Sequence, residues 1–339
     1  MKKRLLAMLL TGALCASMAA CTSSPSGETG GETGGENAEG GYSIDVILKT
    51  TASEYWQYVQ AGAEAYEAQN PGVTVEVKGA PSETAYQDQL NMIQTDLAGD
   101  YDGFVIAPLQ DDMVANLIQG EERPIVAVDT RIDAPEVISF VGTGNESAGA
   151  LGGAAAVEAA RAAGWETIQA IEIAGVEGDT TNTDRMNGYK RGIEEAGGDF
   201  LEDEVQYADA VATKAVDAMN GIMSRFPDGI AIICANNDDM AIAAAKAAAD
   251  SGNEAYANTI FLGFDGIQSA CDAILEGRLT MSVAQQGYEM GYEAVATVVA
   301  ALNGEEVNEF VDSGAEVITA ENAQTRKDTL QGYLESLNG

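Results

Sequence analysis

The sequence predicts a doubly wound α/β fold with more than one parallel sheet, and three observations carry that prediction. From residue 42 onward, short runs rich in Val, Ile and Phe alternate with longer amphipathic runs, the signature of repeated βαβ units. Several short runs, such as Ile125–Val128 and Ile230–Cys234, are apolar throughout, as expected when helices cover both faces of a strand. A span of about 300 residues is too long for one small core, and its many units imply two sheets and two domains.

In chain order the strand-like runs are Ile44–Leu48, Val73–Val77, Gly103–Ala107, Ile125–Val128, Val137–Val141, Ile168–Ile173, Ile230–Cys234, Ile260–Phe264 and Met281–Ala284. The helical runs are Tyr55–Gln69, Ala85–Leu97, Ala148–Ala163, Arg185–Ala196, Ala212–Phe226, Met240–Ser251, Ile267–Leu275 and Tyr288–Leu302.

The segment before residue 42 has another character. Lys2, Lys3 and Arg4 precede an uncharged apolar run from Leu5 to Ala20, so residues 1–20 read as a secretory signal peptide. The run is shorter than the roughly 20 apolar residues of a stable membrane span. Residues 22–41, TSSPSGETGGETGGENAEGG, repeat GETG and cannot bury apolar surface. With Cys21 they read as a flexible linker, 21–41, spanning roughly 25 Å root-mean-square.

The chain has 17 Lys+Arg against 54 Asp+Glu. Three of the basic residues lie in the leader, which leaves 14 against 54, a formal charge of −40. Nucleic acid is not expected as a partner, because phosphate binding needs clustered Lys and Arg. The acidity serves solubility. There is no histidine, which removes Ser-His-Asp and Cys-His catalysis and the usual zinc sites. No metal and no cofactor is expected. Gly142-Thr-Gly144-Asn-Glu-Ser147 departs from G-x-G-x-x-G at its last position, and no G-x-x-x-x-G-K-[ST] occurs. Asp129 and Asp265 could in principle form a glycosidase pair, but nothing in the sequence raises either pKa, and no enzyme is expected. Cys15 sits in the leader. Cys234 and Cys271 permit a disulfide in an exported chain, and each also reads as a buried small hydrophobe.

Parallel α/β sheets present ligand groups at the carboxyl ends of their strands. Here those ends carry Asp129-Thr130-Arg131, Asn236-Asn237-Asp238-Asp239, Asp265-Gly266 and Gln285-Gln286. Carboxylates and amides recur at strand end after strand end.

Ser17-Met18-Ala19-Ala20-Cys21 resembles the lipobox of bacterial lipoproteins, which implies cleavage before Cys21 and its acylation. The body resembles the periplasmic sugar-binding proteins of the ribose/galactose type, the solute receptors of ABC importers. The resemblance runs from residue 43 to about 318. It is carried by Tyr55-Trp56, Pro124-Ile-Val-Ala-Val-Asp129, Gly142-Thr-Gly-Asn145, Arg185-Met-Asn-Gly188-Tyr189, Ala235-Asn-Asn237-Asp238-Asp-Met240, Gly263-Phe-Asp265-Gly266 and Val283-Ala-Gln285. It implies two Rossmann-like lobes joined by a three-strand hinge, the type I periplasmic binding protein fold, closing on a ligand. The crossings would fall near Thr143, Gln285 and Val317. The N-terminal lobe would be 42–143 plus 286–317, and the C-terminal lobe 144–285 plus 318–339.

The same resemblance implies an exported monomer, lipid-anchored through Cys21 to the outer face of the cytoplasmic membrane, that delivers a monosaccharide to an ABC importer permease. By resemblance the ligand-binding residues are Ser53, Tyr55, Trp56, Asp129, Thr130, Arg185, Asn237, Asp265 and Gln285. Asp129 and Asp265 can accept hydroxyl protons, Arg185 can donate to neighbouring oxygens, and Asn237 and Gln285 can do both. Tyr55 and Trp56 match the family's stacking pair. Thr130 replaces the Arg that follows the Asp in ribose binders, with Arg131 one residue on. Ala210 stands where those binders carry an aromatic, and the loop 175–184 looks longer than theirs. A sugar-responsive repressor shares the body but needs a DNA-binding head, where this chain has a leader and an acidic linker. A binding protein of the same fold for an autoinducer-like sugar, an inositol or a nucleoside, reporting to a sensor, is the remaining alternative.

Overall fold

The computed structural model describes residues 41–337. The expected signal peptide, Cys21 and the expected linker up to residue 40 lie outside the described residues. The first sheet is built from β1 (Tyr42–Thr50), β2 (Val73–Ala80), β3 (Gly103–Ile106), β4 (Ile125–Val128) and β5 (Val137–Gly142). Between them run α1 (Glu54–Gln69), α2 (Tyr86–Leu97) and α3 (Asp111–Leu117). The second part opens with α4 (Asn145–Ala162), β6 (Gln169–Ala174), α5 (Thr180–Glu195), β7 (Asp199–Phe200), β8 (Gln206–Tyr207) and α6 (Ala212–Arg225). It continues with β9 (Ile232–Ala235), α7 (Asp238–Asp250), β10 (Ile260–Asp265), α8 (Gln268–Leu275) and β11 (Met281–Gln285). The chain ends with α9 (Gly287–Leu302), β12 (Phe310–Asp312), β13 (Ala315–Ile318) and α10 (Ala323–Leu337).

The two sheets run β2-β1-β3-β4-β5-β12 and β7-β6-β9-β10-β11-β13, with β8 paired to β6. Each reads as a 2-1-3-4-5 doubly wound sheet with an added edge strand, so each has its switch point beside its first strand. All pairings are parallel except β13 with β11. β3, β4 and β9 are buried at every residue, the consequence of helices on both faces.

The chain passes from the first sheet to the second at Thr143–Gly144, returns at Gln286 and passes again at Ser313–Gly314. This third passage corrects the expectation at Val317. Val317 pairs with Val283 inside the second sheet, so residues 315–317 belong to the second lobe. The turn is made by Gly314 at φ +78°, its N–H held by the Asp312 carboxylate at 2.9 Å. α9 packs on α1, β3 and β4 of the first lobe, while α10 packs against both α8 and α1. Arg326 of α10 is buried and donates to the carbonyls of Gly266 and Gln285 and to the Gln286 side chain, tying the second passage in place.

α5 begins at Thr180, not at Arg185, because Asp179 caps it by accepting from the Asn182 N–H at 2.7 Å. The apparent long loop 175–184 is therefore short, and its second half is helix. α5 lies against α4 with backbones in contact. A Cβ at Gly149 would stand 2.6 Å from the Arg185 carbonyl oxygen, and one at Gly188 would stand 2.3 Å from that of Glu146. Gly188→Ala must push the helices apart, and urea unfolding should show a loss of about 1–3 kcal/mol from overpacking.

Cys234 and Cys271 are both free and buried, which settles the two open readings in favour of packing.

Candidate ligand-binding site

The carboxyl ends of both sheets face a common cavity of about 670 Å3, mouth included. The first lobe contributes Lys49, Ser53, Tyr55, Trp56, Glu83, Leu109 and Asp129. The second contributes Asp179, Thr181, Asn182, Arg185, Ala210, Asn236, Asn237, Asp239 and Asp265, with Gly175, Val176 and Ile267.

Asp129, directly after β4, and Asp265, the last residue of β10, use the same device. Each has a positive φ, +64° and +112°, which L residues rarely adopt and which turns the chain sharply off the strand. The Asp129 carboxylate accepts from the Tyr55 hydroxyl at 2.9 Å and from the Thr130 hydroxyl at 2.9 Å. Asp265, the last residue of β10, accepts from the Gln285 amide at 2.7 Å. Burial pushes the Asp265 carboxyl well above the usual carboxylate range, against the pull of Arg185. That corrects the expectation that neither carboxylate would be raised. The cause is desolvation, and both side chains are engaged as hydrogen-bond acceptors.

Arg185 sits in the second turn of α5 and is held on every side. It donates to the Asn236 carbonyl at 2.8 Å and to the Asn145 side chain at 2.9 Å. Its guanidinium lies 3.6 Å from an Asp265 oxygen and 3.9 Å from the Phe264 ring centroid, within cation–π range. Burial would lower its pKa, but Asp265 and then Asp129 hold it above the ordinary value.

Of the expected residues, Ser53, Tyr55, Trp56, Asp129, Arg185, Asn237 and Asp265 line the cavity. Ser53 stands at the N-cap of α1 without spending its side chain there. Asn237 caps α7 by accepting from the Met240 N–H at 3.0 Å, so capping and cavity lining coincide in one residue. Thr130 and Gln285 are buried just behind the lining residues. Thr130 bonds Asp129 and meets the Thr181 hydroxyl of the other lobe at 2.9 Å, while Gln285 is fully buried behind Asp265. Both orient carboxylates. The Tyr55 and Trp56 rings meet edge to face at 73°, so they cannot stack on one ligand face together.

Asn236 and Asp239, part of the strand-end run after β9, also line the cavity, and so do Lys49, Glu83 and Asp179, which the strand-end pattern of carboxylates and amides does not mark. Lys49 Nζ reaches Asp179 across the lobes at 3.1 Å, with both side chains about nine-tenths buried. Burial disfavours its charge, but Asp179, Asp129 and Glu83 together raise its pKa. Burial likewise opposes the charge of Asp179, yet Lys49 and the Asn182 N–H bring its pKa below the ordinary value. The signal was present: a lone Lys after the apolar run Ile44–Leu48 is itself a strand-end residue. Trp56 donates to Glu83 at 3.0 Å.

Beneath the floor, Glu172 of β6 is fully buried and receives the Asn236 amide at 3.5 Å. Burial pushes its pKa up to about 8, against Asn236 and Arg185. A folded pKa above the ordinary carboxylate value favours the protonated fold. Its contribution to stability is greatest below about pH 4.5 and falls as pH rises through about 8. Glu172→Gln should remove that dependence. Between pH 5 and 9 its unfolding free energy should gain roughly 3–5 kcal/mol relative to the wild type, measured by denaturant titration at each pH.

Two lobes that enclose a polar cavity at the carboxyl ends of paired doubly wound sheets define a solute receptor. Residues 44–306 match the family model for the periplasmic binding protein domain, and the chain belongs to that family. The chain is 31% identical over 267 residues to the D-allose-binding periplasmic protein of Escherichia coli (strain K12), covering 75% of this chain and 82% of that one. It is 25% identical over 274 residues to the ribose import binding protein of the same strain, covering 80% and 88%. Among solved structures, a carbohydrate transporter solute-binding protein from Agrobacterium radiobacter in complex with D-arabinose superposes with a TM-score of 0.78 at 26% identity, covering 86% and 99%.

Proposed function

We propose that the chain captures a sugar ring between its lobes outside the cytoplasm and delivers it to an ABC importer. The observation that carries this reading is the site's make-up. Two strand-end carboxylates, Asp129 and Asp265, and one immobilised guanidinium, Arg185, share the cavity with the Trp56 ring. Fixed donors and acceptors suit ring hydroxyls, and the indole suits an apolar C–H face. Lys49 is already paired with Asp179, and Arg185 lies against Asp265, which disfavours an anionic ligand. The relatives' names point the same way: allose, ribose and arabinose.

Closure brings lobe to lobe through Lys49–Asp179, the Thr130–Thr181 hydroxyls, and the Ser269 N–H on Glu54 at 3.2 Å. Ligand-coupled closure is therefore part of the proposal. Calorimetric titration with a panel of monosaccharides should find a ligand, and Trp56 fluorescence should change on binding. No response to any sugar in heat or thermal shift would overturn the reading. Asp265→Ala and Arg185→Ala should each weaken binding by about 2–4 kcal/mol, since each leaves its partner buried and unpaired.

Lipid on Cys21 would keep such a receptor beside its importer, and more than one acyl chain is needed for stable retention. Cys21→Ser should release binding-competent protein into the medium, read by fractionation. Retention of that variant on the membrane would move the anchor elsewhere.

A further inference from the structure

A second cavity, of about 470 Å3, opens between the lobes next to the first and shares Asp129 and Thr181 with it. Its first-lobe wall is an aromatic shelf. Phe140 and Phe310 stack at 5.4 Å with ring planes 8° apart, and the Arg131 guanidinium lies 4.5 and 5.0 Å from their centroids. Phe310 is 37% exposed, unusual for a large apolar side chain in this protein. Among the described residues, Arg131 is the one Lys or Arg with neither a hydrogen bond nor an ion pair. It is exposed, with its guanidinium lying over the two rings. The second-lobe wall supplies hydroxyls from Ser147 and Thr180 and the carboxylate of Asp184.

The division between the two cavities is thin. It consists of the Asp129 carboxylate and Thr181, whose hydroxyl meets that of Thr130 from the opposite lobe. Parting those two hydroxyls would join the two cavities. The chemistry of the outer chamber also selects its occupant. Asp129, Glu146 and Asp184 outnumber Arg131, so a phosphate or carboxylate substituent is disfavoured. Donors, acceptors and an exposed aromatic surface together suit a second neutral, hydroxylated ring.

We propose that the receptor accepts a sugar with an O-linked second ring, a disaccharide or glycoside, with the first ring in the inner cavity and the second on the Arg131–Phe310 shelf. This rests on the sugar reading of the inner cavity and extends it. Titration calorimetry of the full chain would compare each monosaccharide that binds with its α and β 4-nitrophenyl glycosides and with disaccharides containing it. At least one glycoside or disaccharide should bind tenfold or more tighter than its parent. Arg131→Ala and Phe310→Leu should each weaken that compound at least fivefold and leave the parent within twofold. The proposal is overturned if no substituted sugar binds tighter than its parent, or if the variants weaken parent and substituted sugar alike. If neither monosaccharides nor substituted sugars bind, the sugar reading itself falls and this extension falls with it.

Discussion

The buried guanidinium of Arg185 organises the second lobe's rim. It joins α5 to the end of β9 through the Asn236 carbonyl, to the start of α4 through Asn145, and to β10 through Asp265 and the Phe264 face. A buried cation is tolerated only with such a full set of partners, and removing one partner strands another. The close approach of α4 and α5 is what brings Arg185 within reach of all of them. Packing in the body of the lobe and geometry at its rim are thus one constraint.

The carboxylates show how a strand end becomes a site. Parallel strands bury every side chain along their length, so polar groups can emerge only where the strand stops. Asp129 and Asp265 emerge there in backbone conformations that cost free energy and that the surrounding hydrogen bonds hold. Thr130 and Gln285 do that holding. They sit next to the rim in sequence and in space, each bonded to the carboxylate that lines the cavity.

Much of this was legible in the sequence. Continuous apolar runs gave away the long strands, and amphipathic period the long helices. The strand-end rule found most of the rim. What stayed hidden has physical reasons. β7, β8 and β12 are too short to carry a period, and α3 has little apolar stripe to show. β13 does not show its lobe in sequence, because its antiparallel partner, β11, is set by tertiary pairing. The start of α5 was misplaced because its first turn, Thr180–Asp184, is polar and owes its helicity to the Asp179 cap. Lys49 is a lone cation among strand ends of carboxylates and amides, and its partner Asp179 lies far off in sequence on the other lobe.

The three short passages between the lobes, with α10 lying across α1 and α8 and Arg326 gripping the middle passage, leave the molecule the mechanics of a linkage with a single soft coordinate. Twisting or sliding the lobes would strain three backbones at once, whereas opening can be taken up as rotation at the three passages. With the proposed ligand-coupled closure, the opening angle would gauge what the cavity holds. A partner that grips the two far ends of the molecule can register an occupied site from their separation alone, with no contact to the solute.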